Sequence, residues 1–335
     1  MAESHVRAPA PVLLLDRDSA TQLLTLGDSI AAVEAAFLAH AQGNSLKPEL
    51  MHVAGEGGEF HIKAGGLKAK QTYFAAKING GFFNNKSQFG LPNILGLIVL
   101  CDGSSGAPLA VMESGYVTRL RTGAATAVAA RYLARPESSV VTICGAGVQG
   151  EIQLKSLTHV LPIERALIWS RGDTTDFCAR MRRELSIEVT PASAPETAAR
   201  QSDVIVTCTQ AKKWFLARSH VVPGTFIAAV GADSPDKQEL EPELLAQASV
   251  VCDLTEQCAH VGDLHHAILA GLMTKKDVRG ELGQVIAGTA PGRTTKHEIL
   301  IFDSTGTALQ DTAAAAAVYE RAVARKRGQM FGFWS

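Results

Sequence analysis

Val140-Val141-Thr142-Ile143-Cys144 runs directly into Gly145-Ala146-Gly147-Val148-Gln149-Gly150. Five residues that are apolar or β-branched predict a buried strand, and the spacing after the glycines predicts a helix over 148–161. A GxGxxG loop between strand and helix is built to receive a dinucleotide. Gly145 permits the tight turn, Gly147 lets the backbone approach a pyrophosphate, and Gly150 allows the helix to pack closely on the strand. The helix N-terminus adds free amides and the positive end of its dipole. Taken alone, such glycines are weak evidence and can be a chance loop in an α/β protein. Here strand, loop, helix and a second strand at 166–170 are all in place, which decides for a Rossmann domain that binds a nicotinamide dinucleotide.

Outward from this loop, strands and helices alternate. Strands are expected at 139–144, 166–170, 204–209, 226–230, 250–254 and 299–303, with a helix over 173–184. Such alternation implies a parallel sheet covered on both faces. A helix over 118–133 leads into it and is broken by Arg135-Pro136-Glu137. The pattern before it differs. After a strand at 12–15 and helical spacing over 31–40, short strands at 59–64, 73–79, 95–101 and 108–113 follow one another through glycine turns. These predict an antiparallel sheet. An alanine-rich helix over 309–326 returns to this first unit. The expected fold is α/β in two domains. A doubly wound Rossmann domain occupies 121–306, and an N-terminal antiparallel α+β domain occupies 1–120, completed by 307–335.

The 335 residues carry 32 Lys plus Arg against 33 Asp plus Glu, a net charge of −1, so nothing favours nucleic acid or an anionic membrane as partner. No uncharged apolar run reaches transmembrane length, and residues 1–11 lack the order of a secretory signal and read as a loose leader. The six cysteines form no CxxC pair; Cys144, Cys208 and Cys252 fall in strand patterns as small hydrophobes, which fits a reducing cytoplasm. No His/Cys/Asp set has metal-ligand spacing and no GxSxG occurs, so neither metal nor serine nucleophile is expected.

The tip of the second Rossmann strand bears on the cofactor. A carboxylate there would hold the ribose 2′-hydroxyl of NAD(H). This strand ends Ile168-Trp169-Ser170-Arg171, with Asp173 beyond it. Ser170 and Arg171 can instead bind a 2′-phosphate, which favours NADP(H), with NAD(H) the alternative should Arg171 be an ordinary surface arginine.

Along nearly its whole length the sequence resembles the ornithine cyclodeaminase/μ-crystallin family. The resemblance is carried by Lys77-Ile78-Asn79-Gly80-Gly81, Thr118-Arg119-Leu120-Arg121-Thr122-Gly123-Ala124-Ala125, the Gly145–Gln149 loop, Val230-Gly231-Ala232-Asp233 and Phe302-Asp303-Ser304-Thr305-Gly306. Segments Gly80-Gly81-Phe82-Phe83-Asn84-Asn85 and Gly90-Leu91-Pro92 look like a bacterial cyclodeaminase-like subgroup. The resemblance implies a homodimer joined through the N-terminal sheet domain, and hydride transfer between nicotinamide and the α-carbon of a small amino or imino acid.

It also implies roles. Lys77 and Arg121 match the family's substrate-binding cations, with Lys77 also a candidate proton donor; by pattern alone they would be a strand-surface lysine and a helix-surface arginine. Asp233 matches the catalytic aspartate, although a turn aspartate before Ser234-Pro235 is the plainer reading. Thr122, Asn93, Thr209, Ser304 and Gly306 join the loop residues Gly145, Ala146, Gly147, Val148 and Gln149 as expected cofactor contacts. His61 and Lys63 alternate on one strand and point the same way. One departure stands out: the family's Pro-x-Arg arginine is replaced in Lys47-Pro48-Glu49-Leu50. Either Lys63 compensates, or Glu49 faces the pocket and selects a substrate with a second positive charge. Three functions compete: an imino acid reductase or amino acid dehydrogenase, an ornithine or lysine cyclodeaminase with recycled cofactor, and an NADPH-dependent binding protein.

Overall fold

A two-residue alternation of apolar and polar side chains builds the first sheet from β1 (Val12–Leu15), β2 (Ser45–Gly55), β3 (Gly58–Lys68), β4 (Thr72–Gly81), β5 (Ile94–Asp102) and β6 (Pro108–Glu113). The computed structural model describes residues 10–334, so the leader expected at 1–11 lies almost wholly outside the described residues. Across the sheet the order is β1-β6-β5-β4-β3-β2, antiparallel except for the β1–β6 pair. The register fixes the function of one face. Lys63 stands opposite Lys77, His61 opposite Asn79 and Glu59 opposite Gly81, so these residues share a side. The other side exposes Met51, Phe60, Ile78 and Leu97.

The second sheet is wholly parallel. Its strands come from β7 (Val140–Cys144), β8 (Arg165–Trp169), β9 (Glu188–Pro191), β10 (Val204–Thr207), β12 (Phe226–Ala229), β14 (Ser249–Cys252), β15 (Gly280–Glu281) and β16 (Leu300–Asp303), while β11 (Lys212–Leu216) and β13 (Gln238–Leu240) form a small separate pair. The order β15-β14-β16-β12-β10-β7-β8-β9 turns in both directions from β7. The crevice outside the carboxyl ends of β7 and β10 is therefore where a doubly wound sheet receives its ligand.

Two helices join the units. The helix Ser114–Leu133 contributes Val117 and Leu120 to the core under the first sheet, and Ala124, Val128 and Leu133 to the Rossmann core. The expected division at 120/121 falls inside this helix. The helix Ala308–Arg325 buries Ala314, Ala315 and Val318 under the first sheet, and β17 (Gln329–Phe331) then adds an antiparallel strand to β1. Among the described residues no single helix is long and apolar enough to cross a membrane.

The sequence reading missed β2, β9, β11, β13, β15 and β17. In β2, Pro48 and its charged neighbours break the strand pattern, but β2 is an edge strand and Pro48 falls at a register shift between Leu46 and Glu49. An edge position and a bulge are both places where a strand tolerates proline.

Candidate active site

The shared face of β3 and β4 forms one wall of a cleft of about 200 Å³ between the two units, and the loops after β10, β12 and β16 form the other. Behind its inner end, bonded to the lining residues Lys77 and Arg121, lies Asp311, from the helix Ala308–Arg325, with a side chain 1% exposed. Lys77 Nζ donates to Asp311 Oδ1 at 2.8 Å and lies 2.7 Å from Oδ2. Arg121 Nε is 2.9 Å from Asp311 Oδ1, and Arg121 Nη1 donates to Gln310 Oε1 at 2.9 Å. Burial and the adjacent Arg121 guanidinium push Lys77 down to about 7. Burial works against the Asp311 charge, but Arg121 and Lys77 outweigh it and hold the carboxyl below its ordinary value. Asp311 escaped the sequence reading because it sits in an alanine-rich helix that looked purely structural. Its signal is an acid on the buried face of that helix.

Lys63 takes another role. Its ammonium donates to the carbonyls of Thr305 at 2.8 Å and Gly306 at 2.7 Å, tying β3 to the loop after β16. Burial, then Arg121, lowers its pKa. Gly306 has φ +73°, and a Cβ there would come within 2.5 Å of Arg121 Nη1, so the guanidinium fills the space a side chain would need.

On the facing wall, Asp233 follows β12 and accepts a hydrogen bond from Lys237 Nζ at 2.6 Å. Burial would raise the Asp233 carboxyl, yet Lys237, His61 and Lys63 hold it well below the usual carboxylate range. Lys237 is also 4.0 Å from Glu59, whose Oε1 meets His61 Nε2 at 2.9 Å. Lys237 and Glu59 were missed because they are ordinary surface residue types with no motif around them. Glu49 lies outside this cluster: it is exposed and paired with Lys47 at 2.6 Å. Leu50, not Glu49, stands opposite Lys63.

The nucleotide loop has the expected shape. Gly145 has φ +121°, and a Cβ on Gly150 would lie 1.9 Å from the Gly145 carbonyl oxygen, whereas a Cβ on Gly147 would meet nothing within 4 Å. Gly147 thus leaves open approach for a pyrophosphate at the start of the helix Val148–Thr158. Ala146 lies in the same loop and Val148 is exposed at the helix start. Gln149, Thr122, Thr209, Ser304 and Gly306 line the cleft. Ser170 and Arg171 stand at the end of β8, away from the cleft, and Asp173 is occupied, its Oδ1 accepting from Thr175 N at 3.0 Å and Thr175 Oγ1 at 2.7 Å. Asn93 does not line the cleft; its Oδ1 accepts from Lys86 N at 3.3 Å.

Beneath the Rossmann-side loops four buried carboxylates hold the backbone. Glu239 accepts from Thr209 N at 2.6 Å and Gly231 N at 3.0 Å. Asp263 accepts from Glu239 N at 2.8 Å and Leu240 N at 2.9 Å, and Asp303 from Leu264 N at 2.9 Å. Asp253 accepts from Gly306 N at 2.7 Å. Burial and the neighbouring Asp263 raise Glu239, and burial raises Asp263. Among the described residues two side-chain groups also come within metal-ligand range, His52–Glu59–His61 and Cys252–Cys258–Asp303, each with its ligand atoms inside 4.8 Å. Both gather by tertiary folding, which sequence spacing does not show.

The chain matches the model of the ornithine cyclodeaminase/mu-crystallin family over residues 12–326. It is 39% identical to an uncharacterized cyclodeaminase of Sinorhizobium fredii over 91% of this chain and 93% of that protein. It superposes on an archaeal alanine dehydrogenase dimer with bound NAD at TM-score 0.91, with 36% identity over 96% of this chain and 99% of that one. It superposes on the Thermococcus litoralis Δ1-pyrroline-2-carboxylate reductase in complex with NADH and L-proline at TM-score 0.90, with 31% identity over 95% and 99%.

Proposed function

The chain belongs to the ornithine cyclodeaminase/mu-crystallin family and is an enzyme, and from that premise we propose that it moves a hydride between a nicotinamide cofactor and the α-carbon of an amino or imino acid. The observation that carries this reading is the Lys77–Arg121–Asp311 group facing Asp233 across one cleft beside the dinucleotide loop. Arg121 and Lys77 hold the substrate carboxylate, Asp233 lies against the nitrogen and stabilises an iminium, and the Gly145–Gly150 loop holds the pyrophosphate. Nicotinamide, when bound, supplies the hydride donor or acceptor.

For the cofactor we favour NADP(H). Arg171 is exposed, has no hydrogen bond or ion pair among the described residues, and Asp173 is engaged by Thr175 instead of being free for a ribose hydroxyl. A second copy of the chain is the partner that fits the apolar outer face of the first sheet, where Met51, Phe60, Ile78 and Leu97 are uncovered. The six cysteines are all free, which suits the reducing cytoplasm.

The test is a panel of Δ1-pyrroline-2-carboxylate, pyruvate with ammonia, and ornithine, each with NADPH and NADH. Oxidation of the cofactor in step with substrate supports the reductase reading. Ammonia release from ornithine with no net change in the cofactor assigns cyclodeamination. Asp233→Ala should lower kcat at least about 100-fold while the cofactor still binds; binding without turnover in the wild type, across the panel, would defeat the enzymatic assignment.

A further inference from the structure

To oxidise an amino acid, the cleft must first take a proton from the substrate nitrogen, whose lone pair then forms the C=N bond. The charged groups there differ in their fitness for this. Arg121 does not deprotonate. Asp233 is held ionised far below neutrality and is a weak base. Lys77, although pushed down to about 7, and Lys63 are 2% and 4% exposed and stand at the inner end beside Arg121, where the carboxylate binds, bonded to Asp311 and to the Thr305 and Gly306 carbonyls. His61 differs from all of these. It lines the cleft, its Nε2 meets Glu59 Oε1 at 2.9 Å, and the Glu59 side chain is 30% exposed. The pair therefore runs from the cleft to water. An imidazole is also the side chain whose ordinary charge change falls between pH 5 and 8.

The strand register places it suitably. Lys63 and Lys77 face each other at the inner end beside Arg121, and His61 with Asn79 is one step outward on the same face, about 7 Å along β3. A substrate whose carboxylate is held at the inner end directs its nitrogen outward, toward His61 and Asp233. The charges facing this imidazole are Glu59 and Lys63 on its own strand, His52 on β2 with ring centroids 4.3 Å apart, and Asp233 and Lys237 across the cleft.

We propose, resting on the reading that the cleft works on amino and imino acids, that His61 held by Glu59 exchanges the proton with the substrate nitrogen, and that Asp233 contributes charge alone. In the oxidative direction the substrate N–H bond breaks and a ring N–H forms on His61. An oxidised nicotinamide, when bound, would take the Cα hydride; the nitrogen lone pair freed by His61 forms the C=N bond, and Asp233 stabilises the resulting iminium by its charge. The imidazolium then releases its proton to water past Glu59. Reduction runs the same steps backward.

The experiment uses the full chain with NADP+ or NAD+ and L-proline, L-alanine or L-ornithine. Wild type that oxidises none of them, and reduces none of the corresponding imines, sinks the functional reading and this proposal with it. With active wild type, His61→Gln should lower kcat about 100-fold and remove the acidic limb of the pH profile, while the KM for cofactor stays within about twofold. Glu59→Gln should lower kcat by less than His61→Gln does, because the imidazole keeps its place but loses the carboxylate that orients it. Imidazole added to His61→Ala should restore part of the rate. Away from turnover, the Kd of the amino acid for the protein saturated with reduced cofactor should weaken as pH falls in wild type and be flat in His61→Gln. If His61→Gln keeps kcat within about threefold and retains the acidic limb, the proton exchanger is another group, with Lys77 the leading one, and the proposal is wrong.

Discussion

The β3–β4 wall of the cleft is held in place by side-chain ion pairs and donors, whereas the loops after β10, β12 and β16, which bring the Asp233–Lys237 pair to the other wall, are held from below through their backbone amides. On the first side Lys77 and Arg121 share a single acid, Asp311, that comes from a distant helix, while Lys63 is tied to the carbonyls of Thr305 and Gly306. On the second, buried acids point away from the ligand and hold the amides of Thr209, Gly231 and Gly306 from below. A side chain fixed by an ion pair keeps its place only while its partner remains. A loop held by several amide–carboxylate bonds loses one support at a time. The walls should therefore fail differently when an acid is removed.

The largest effect is expected at Asp311. Asp311→Ala leaves Lys77 and Arg121 buried with no carboxylate between them, a loss of about 3–5 kcal/mol for a broken buried ion pair. Chemical denaturation should show it. A loss below about 1 kcal/mol would mean that the cations relax freely, and the contrast between the walls would collapse.

Glu239→Gln comes next. The amide cannot accept from both Thr209 N and Gly231 N, so one buried donor is left poorly satisfied, at about 1–3 kcal/mol. pH sharpens this test. Glu239 is raised in the folded state above its unfolded value, so the fold binds a proton that the unfolded chain has released. That stabilisation is complete below the ordinary carboxylate range and is lost as pH rises through the raised value. Wild-type stability should thus decline with rising pH across this window, and the decline should be shallower in Glu239→Gln. Equal slopes would show that Glu239 does not carry the proton.

The smallest change concerns the distal end of the nucleotide. Arg171→Ala should weaken NADPH relative to NADH by roughly tenfold, since the arginine is exposed and its pairing with a 2′-phosphate is partly screened. Ratios of kcat/KM for the two cofactors measure it. An unchanged ratio would return Arg171 to the ordinary surface.

The two walls also differed in how plainly the sequence announced them. The Gly145–Gly150 loop has a local requirement that three glycines meet, so the Rossmann side was legible from adjacent residues. Lys63 and His61 were legible as neighbours on one strand face, because alternation is local too. Asp311 was not, since its meaning depends on Lys77, 234 positions earlier in the chain. Glu239 was hidden for a related reason: its partners are backbone amides, which every residue has. Glu49 was misplaced because the strand that contains it was not recognised, and with it the register that turns Leu50 toward Lys63.

The helix Ser114–Leu133 has a consequence for how the molecule comes apart. Its first half is packed in one core and its second half in the other, and its twenty residues form one unbroken hydrogen-bonded rod. Fraying the N-terminal half exposes the start of the other half to water, so neither core can melt while the other stays whole. The two cores should therefore unfold as a single cooperative unit, and slow-exchanging amides along this rod should be the last to open.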